Sequence, residues 1–150
     1  MITNLYLLHD KVDYLEKFVK ILKENNIKIT SQRLLILKYL DQHCTHPTAD
    51  QIYTDLKSNN PSLSKTTVYN SLDALTEHGI IQGITITGKE VHYDINHGMH
   101  HHFYCKRCGK IIDMNIKCPY VEKTKECEHK VEEVHGYLKG ICKDCLKECN

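Results

Sequence analysis

Apolar residues recur at helical spacing through most of the first 80 positions of the chain. The pattern predicts four helices: one over 11–25, one from Thr30 to Leu40, one from Pro47 to Leu56, and one from a cap at Ser62 or Ser64 to Gly79. Their predicted inner faces are Val12, Leu15, Phe18, Val19 and Leu22; Leu34, Leu37 and Leu40; Ile52 and Leu56; and Val68, Leu72 and Leu75. Helices with such stripes pack around a shared core.

Two β-branched runs follow the fourth helix. They lie over 80–86 and 91–95, and Gly88 supplies the turn between them. The pattern predicts a short hairpin, or wing. Several helices followed by such a wing are the order of a winged helix-turn-helix, a fold that docks on DNA.

A second region begins after His97-Gly98, where the composition changes. Strands are predicted at 103–104 and 110–114 about a turn at 106–109, followed by a charged helix over 119–134 and a last strand over 137–141. The chain therefore divides near residue 96. The predicted fold class is α+β, with an N-terminal winged helix-turn-helix domain and a small C-terminal α/β domain.

Composition and charge narrow the function classes. The chain of 150 residues is 41% hydrophobic and 26% charged, which is typical of a globular protein. It has no apolar run of 18 residues that could cross a membrane, and its start lacks the basic segment of a secretory signal, so we expect a cytoplasmic protein. The balance of 20 basic and 19 acidic residues excludes a broadly basic nucleic-acid coat. Residues 1–94 hold 10 Lys/Arg and 11 Asp/Glu, so DNA binding should depend on a dimer or on bound metal.

The start of the fourth helix is the candidate DNA-reading surface. It offers short hydrogen-bonding groups, one cation and one aromatic ring, and it has no acid before Asp73. The residues are Ser64, Lys65, Thr66, Thr67, Tyr69 and Asn70. A polar, solvated helix face would look the same, but the wing that follows favours DNA binding.

Seven of the eight cysteines lie after residue 104, and four of them have metal-ligand spacing. Cys105 and Cys108 form one C-x-x-C knuckle, Cys142 and Cys145 form another, and 33 residues separate the pairs. Two such knuckles give a closed shell of four sulfurs that suits structural Zn²⁺. The alternatives are reversible disulfides, which would make a thiol redox switch, or exposed thiols. The remaining cysteines are interpreted as spare or packed thiols: Cys44, Cys118, Cys127 and Cys149.

Histidines and carboxylates cluster beside the first knuckle. His100 and His102 point to the same side of a strand, His97 and His101 lie nearby, and Asp94 and Asp113 flank them in sequence. Mixed imidazole and carboxylate ligands suit Fe²⁺, Mn²⁺ or Zn²⁺. Surface histidines are one alternative, and a non-haem iron oxygenase is another. The small domain offers no evident substrate pocket, so we expect no enzyme.

Taken together, the motifs resemble those of the Fur (ferric uptake regulator) family of metal-dependent repressors. The matching segments are Thr30-Ser-Gln-Arg33, His46-Pro-Thr-Ala-Asp-Gln-Ile-Tyr53, Thr67-Val-Tyr-Asn70 and His100-x-His102-x-x-Cys105-x-x-Cys108, with the distal pair Cys142 and Cys145. The resemblance implies a winged-helix DNA-binding domain over 1–93, a hinge over 94–99 and a dimerisation and zinc-binding domain over 100–150. It implies a homodimer on double-stranded operator DNA, with no membrane partner and no organic substrate.

The resemblance also assigns the metals. It implies structural Zn²⁺ on Cys105, Cys108, Cys142 and Cys145, and regulatory Fe²⁺ or Mn²⁺ on His46, Asp94, His100, His102 and Asp113. Asp113 and Asn70 resemble the peroxide-sensing PerR branch, since the iron-sensing branch usually has Glu at the first position. In that branch peroxide oxidises a ligand histidine, here His46 or His100. The alternative is an iron- or zinc-responsive uptake repressor of the same family.

Overall fold

The computed structural model describes residues 3–43, 45–86, 88–95, 100–116 and 136–147, with side chains from Tyr14 onward. The chain forms two compact units, Met1–His97 and Gly98–Asn150. The helices are α1 (Thr3–Glu24), α2 (Ser31–Gln42), α3 (Ala49–Lys57), α4 (Lys65–Glu77) and α5 (Lys143–Lys147). The strands are β1 (Gln82–Ile84), β2 (His92–Asp94), β3 (His101–Cys105), β4 (Ile111–Met114) and β5 (Tyr137–Gly140).

The first two helices differ from the prediction in extent and in inner face. Helix α1 begins at Thr3, eight residues before the predicted start at residue 11, because no Pro or Gly interrupts residues 3–10. Phe18 and Leu22 are fully buried as predicted, but the burial predicted for Leu15 is wrong, since it is 40% exposed. Helix α2 buries Ile36 and Tyr39 in addition to Leu37 and Leu40.

Capping side chains fix where α3 and α4 begin. Thr48 accepts a hydrogen bond from the Gln51 backbone, and the Gln51 side chain accepts one from the Thr48 backbone, which completes a capping box. Ser64, rather than Ser62, caps α4 by accepting from the Thr67 backbone. The predicted inner residues of these helices are buried: Ile52, Leu56, Val68, Leu72 and Leu75.

The wing is a two-stranded antiparallel pair, β1 with β2. Ile80 and Ile81 belong to neither strand. They follow the left-handed turn at Gly79 (φ 65°) and lie buried in the helical core. Helices α2, α3 and α4 with this pair make up the predicted winged helix.

The second unit is built on a three-stranded sheet with the order β4-β3-β5. β3 pairs antiparallel with β4 and parallel with β5. The last described element is α5, a short helix that the sequence analysis did not predict. The predicted helix over 119–134 and the cysteines Cys44, Cys118, Cys127 and Cys149 lie outside the described residues, as does His97.

Within the part of the chain that the structure describes, every helix is too short or too polar to cross a membrane.

Candidate metal centres and nucleic-acid interface

Four cysteine sulfurs of the second unit converge on one point. Cys105 Sγ lies 4.0 Å from Cys145 Sγ, Cys108 Sγ lies 3.8 Å from Cys142 Sγ, and all four sulfurs lie within 4.8 Å of one another. Four sulfurs bound to a tetrahedral Zn²⁺ at about 2.3 Å would be separated by about 3.8 Å. A disulfide requires about 2.05 Å, so these four cysteines are not paired as disulfides.

Backbone geometry sets the first knuckle. Cys105 ends β3, and Gly109 adopts a left-handed conformation (φ 73°) that allows the chain to turn after Cys108. The Gly109 N–H donates to the Cys105 carbonyl at 2.9 Å, and the Cys105 N–H donates to the Lys110 carbonyl at 2.9 Å. The turn therefore presents both thiols on one side.

The second knuckle is held against the first. The Cys142 N–H donates to Cys105 Sγ at 3.3 Å, and the Arg107 guanidinium donates to the Cys145 carbonyl at 2.7 Å. The backbone N–H of Cys108, followed by that of Cys142, stabilises the thiolate and lowers the pKa of Cys105 to about 6. A thiolate is the form that binds metal, so Cys105 is prepared for a cation at neutral pH.

A second set of donors lies on the same sheet. His102 on β3 is the register partner of Asp113 on β4, and its Nε2 lies 3.6 Å from Asp113 Oδ1. His100 Nε2 lies 3.4 Å from the same oxygen, and the His100 and His102 rings are 4.5 Å apart. His101 does not join them, because its ring lies where a side chain at Gly136 would be. Two imidazoles and a carboxylate are the donor chemistry of Fe²⁺, Mn²⁺ and Zn²⁺.

The first unit carries its own imidazole and carboxylate pair. His46 lies in the loop between α2 and α3, and Asp94 ends β2. Both are buried, with 3% and 7% of their surface exposed, and His46 Nε2 lies 3.8 Å from Asp94 Oδ2. The five predicted regulatory ligands thus fall into two groups, two in this unit and three in the second.

The backbone of His46 is held in an uncommon conformation. Its φ is 51°, in the left-handed region that non-glycine residues rarely adopt. His92 Nδ1 lies 2.7 Å from the His46 carbonyl, and the Tyr93 N–H donates to the Pro47 carbonyl at 3.0 Å. Strand β2, which carries Asp94, therefore also fixes His46. The sequence analysis missed His92, because nothing in the local sequence links it to a loop 46 residues away.

The candidate DNA-reading residues form one open surface at the start of α4. Ser64, Lys65, Thr66, Tyr69 and Asn70 are exposed and Thr67 is half-buried, while Val68 anchors the helix in the core. Asp50, on α3, reaches this surface and bonds two of its residues. The sequence analysis also missed Asp50, although an acid in the first turn of α3 and a Lys in the first turn of α4 were visible.

These features define a class. A winged helix with an open reading surface, followed by a unit with a four-sulfur cluster and a histidine and carboxylate cluster, is a metal-binding winged-helix protein.

Comparison with known proteins identifies the family. The sequence model of the ferric uptake regulator family matches residues 24–139. The peroxide-responsive repressor PerR of Staphylococcus epidermidis is 32% identical over 147 residues, covering 94% of this chain and 97% of that protein. The chain belongs to the ferric uptake regulator family.

Solved structures agree with this assignment. The PerR structure from Streptococcus pyogenes, described as a basis for peroxide sensing and gene regulation, is 34% identical over 87% of this chain and 92% of that chain, with a TM-score of 0.51. The Helicobacter pylori ferric uptake regulator has a TM-score of 0.70 over 89% of this chain and 92% of that chain. At 24% identity this second likeness is one of fold.

Proposed function

We propose that this protein is a metal-dependent transcriptional repressor that binds operator DNA as a homodimer and releases it when peroxide oxidises a metal-ligating histidine. The observation that carries the proposal is the coexistence of two donor sets with different chemistry. One is a closed set of four sulfurs, and the other consists of imidazoles and carboxylates. A chain that binds only a structural metal would need only the set of four sulfurs.

The four sulfurs are assigned to structural Zn²⁺. Cys142 lies two residues after the end of β5 and Cys145 lies on α5, whereas Cys105 ends β3 and Cys108 belongs to the turn that follows it. Zinc bound here ties the last strand and helix to the sheet, and a closed sulfur shell leaves no position for chemistry.

The second donor set is assigned to a regulatory Fe²⁺ or Mn²⁺ ion held by His46, Asp94, His100, His102 and Asp113. Five such ligands would leave one position open in an octahedral shell. Because the proposed ligands come from both units, a bound metal would stabilise only the arrangement in which all five reach it. If that arrangement spaces two reading helices for adjacent major grooves, metal and DNA binding are positively coupled.

Peroxide sensing follows from the same ligands. When bound, Fe²⁺ would supply the redox chemistry that activates hydrogen peroxide. Overall, one peroxide oxygen would be inserted at an imidazole C–H of His46 or His100, the other would leave as water, and the iron would return to its starting oxidation state. An oxidised imidazole would no longer hold its place in the ligand set. Support comes from the carboxylate at Asp113, in place of the Glu of the iron-sensing branch, and from relatives named as peroxide-responsive repressors.

The second unit supplies the surface for a homodimer. Among the residues that the structure describes, it exposes Ile112, Ile116, Tyr137, Leu138, Ile141 and Leu146. A unit of this size seldom leaves so many large apolar side chains in water unless they form an interface. Two copies would also supply two reading helices. Because the charge of the first unit is balanced, a single reading helix would not bind DNA tightly enough. Such a repressor acts by binding rather than turnover, in the cytoplasm, where operator DNA lies.

The test is peptide mass spectrometry on anaerobic Fe²⁺-loaded protein, before and after a near-stoichiometric pulse of hydrogen peroxide. We expect one added oxygen, assigned to a residue by fragmentation of the peptide, on His46 or on His100, with iron but not with Mn²⁺. His101 is an internal control, because it lies between two predicted ligands and its ring is turned away from them. Unmodified His46 and His100 with iron still bound would leave the uptake-repressor alternative.

DNA binding is tested separately. Selection from a pool of random duplexes with Mn²⁺-loaded protein should enrich one sequence with two related half-sites. Failure to enrich any sequence would contradict the repressor function itself.

A further inference from the structure

Asp50 occupies the hydrogen-bonding groups of two candidate DNA-reading residues. Lys65 Nζ lies 2.9 Å from each oxygen of the Asp50 carboxylate. The Tyr69 hydroxyl donates to Asp50 Oδ1 at 2.8 Å. Asp50 lies in the first turn of α3, and Lys65 and Tyr69 lie one turn apart on α4, so a single carboxylate joins the two helices of the helix-turn-helix.

This contact changes the charge of the reading surface. Lys65 is the only Lys or Arg within α4, so Asp50 neutralises the only full positive charge that this helix carries. Hydrogen bonds from Lys65 and Tyr69 lower the pKa of Asp50, so the carboxylate is ionised at neutral pH. The remaining exposed groups on this surface, such as Thr66 and Asn70, are uncharged and suit base edges better than they suit phosphates.

We propose that Asp50 is a specificity-determining residue: it keeps Lys65 from phosphates on unrelated DNA and orients Tyr69 for contact with bases. The inference rests on the proposed function, because it requires that α4 reads DNA. Affinity for unrelated DNA comes from neutralised phosphates and released counterions. A Lys held by a carboxylate releases no counterion from DNA, so unrelated sequences gain nothing from it.

Binding of operator DNA leaves the contacts of Asp50 with Lys65 and Tyr69 in place. The Tyr69 hydroxyl is anchored on Asp50, and the residue as a whole is 40% exposed, so its side chain can pack against a thymine methyl group. This contact depends on sequence and needs no phosphate. The Asp50 contact therefore lowers non-specific affinity and leaves operator affinity intact.

The experiment measures binding of Mn²⁺-loaded protein to two duplexes as a function of salt. One duplex is the sequence selected from the random pool, and the other is its shuffled counterpart. For Asp50→Asn we expect affinity for the shuffled duplex to rise about tenfold at low salt, and its salt slope to steepen by about 0.9, one phosphate contact. Affinity for the selected duplex should stay the same or fall, so the ratio of the two affinities drops.

Glu77→Gln is the matched control. It removes one negative charge from the last residue of α4, about 18 Å along the helix from Lys65. It should leave both salt slopes unchanged. In the Lys65→Gln background, Asp50→Asn should no longer steepen the slope, because the released cation is absent.

Two further variants keep the inference testable should Asp50→Asn fail to fold. Lys65→Gln alone should leave the salt slope on the shuffled duplex unchanged, since Lys65 is already neutralised. Tyr69→Phe should weaken binding to the selected duplex without changing either slope.

Three results would overturn the inference. The first is that Asp50→Asn weakens binding to both duplexes equally. The second is that Asp50→Asn changes the affinity for neither duplex. The third is that Lys65→Gln makes the salt slope on the shuffled duplex shallower. If the wild type enriches no sequence, the repressor function fails. Any duplex of random sequence would then still report, through the salt slope of Asp50→Asn, whether Asp50 restrains Lys65.

Discussion

At the scale of single residues, His92 holds the backbone of His46, a predicted metal ligand, without being a predicted ligand itself. A carbonyl oxygen only accepts hydrogen bonds, so His92 Nδ1 carries the hydrogen and donates a hydrogen bond to the His46 carbonyl at 2.7 Å. This bond helps to hold His46 at a φ of 51°. Without it the backbone is free to relax to a commoner conformation, and the imidazole would then move.

Replacement of His92 tests this role. For His92→Ala we expect Mn²⁺ affinity to fall about tenfold, as is common when a group that orients a metal ligand is lost. Structural zinc content should not change. His92→Asn keeps a side-chain donor and should recover part of the affinity. The measurement is electron paramagnetic resonance of free Mn²⁺ during titration.

The control for His92 is another histidine that bonds a carbonyl. His78 Nδ1 lies 2.9 Å from the Ala74 carbonyl at the end of α4, and neither residue is a predicted metal ligand. His78→Ala should bind Mn²⁺ like the wild type. Equal affinity of His92→Ala and wild type would show that the His46 loop holds its shape without this bond.

At the scale of secondary-structure elements, sequence predicts best where local chemistry decides. The Ser64 cap and the buried residues Val68, Leu72 and Leu75 all lie within α4, so its pattern could be read directly. The face of α1 could not, because a 3.6-residue repeat leaves Leu15 close to the apolar stripe, and only the position of α2 decides that it is exposed. Helix α5 has five residues, too few for any periodicity.

Helices α1 and α2 are joined by a polar contact as well as by the core. The Asp41 carboxylate on α2 accepts hydrogen bonds from the Tyr14 hydroxyl at 2.6 Å and from Lys17 Nζ at 3.0 Å, both on α1. Partial burial of Asp41 opposes its ionisation, but these two bonds outweigh it and lower the pKa of the carboxyl.

This contact predicts a pH dependence of stability. Because the folded-state pKa is below the unfolded value of about 3.9, the contact stabilises the protein fully at higher pH. The stabilisation is lost as pH falls through the lowered folded value. The difference in free energy of unfolding between wild type and Asp41→Asn should therefore shrink as the solution is acidified, as measured by urea unfolding.

The matched control for Asp41 is Glu24→Gln, which breaks an exposed pair with Lys20 on α1. The free energy of unfolding of Glu24→Gln should differ little from that of the wild type at every pH, because exposed ion pairs contribute little to stability. If the difference in free energy of unfolding between wild type and Asp41→Asn stays constant on acidification, the charge of the carboxylate is not what stabilises the contact.

At the scale of the whole molecule, the metal-binding sets could be predicted only in part. The spacing of the four cysteines was enough to predict their cluster, because two C-x-x-C knuckles have few other uses in a reducing environment. The contacts of Asp50 and His92 could not be found in this way, since each residue acts on partners 15 or more positions away, and the motif that contains Asp50 does not indicate what its carboxylate contacts. The joint use of His46 and Asp94 with the ligands of the second unit stays a prediction.

Removal of one sulfur should affect zinc retention and assembly together. For Cys142→Ser we expect loss of stoichiometric zinc and a shift from dimer to monomer, since Cys142 bonds Cys105 and begins the segment that carries Cys145. Elemental mass spectrometry and sedimentation velocity measure the two quantities. Cys149→Ser is the matched control and should retain both zinc and dimer. Full zinc content in Cys142→Ser would contradict the four-sulfur assignment.

The parallel pairing of β3 with β5 has a consequence for how the second unit folds. The β3–β4 hairpin closes through the short turn at 106–110. Strand β5, in contrast, begins only at Tyr137 and pairs with the other edge of β3. A cross-link spanning the 33 residues between the two knuckles reduces the entropy of the unfolded chain by an amount equivalent to about 4 kcal/mol. We therefore expect zinc to act late in folding. The β3–β4 hairpin forms from local contacts alone, whereas β5 and α5 are expected to join the sheet when zinc links the two knuckles.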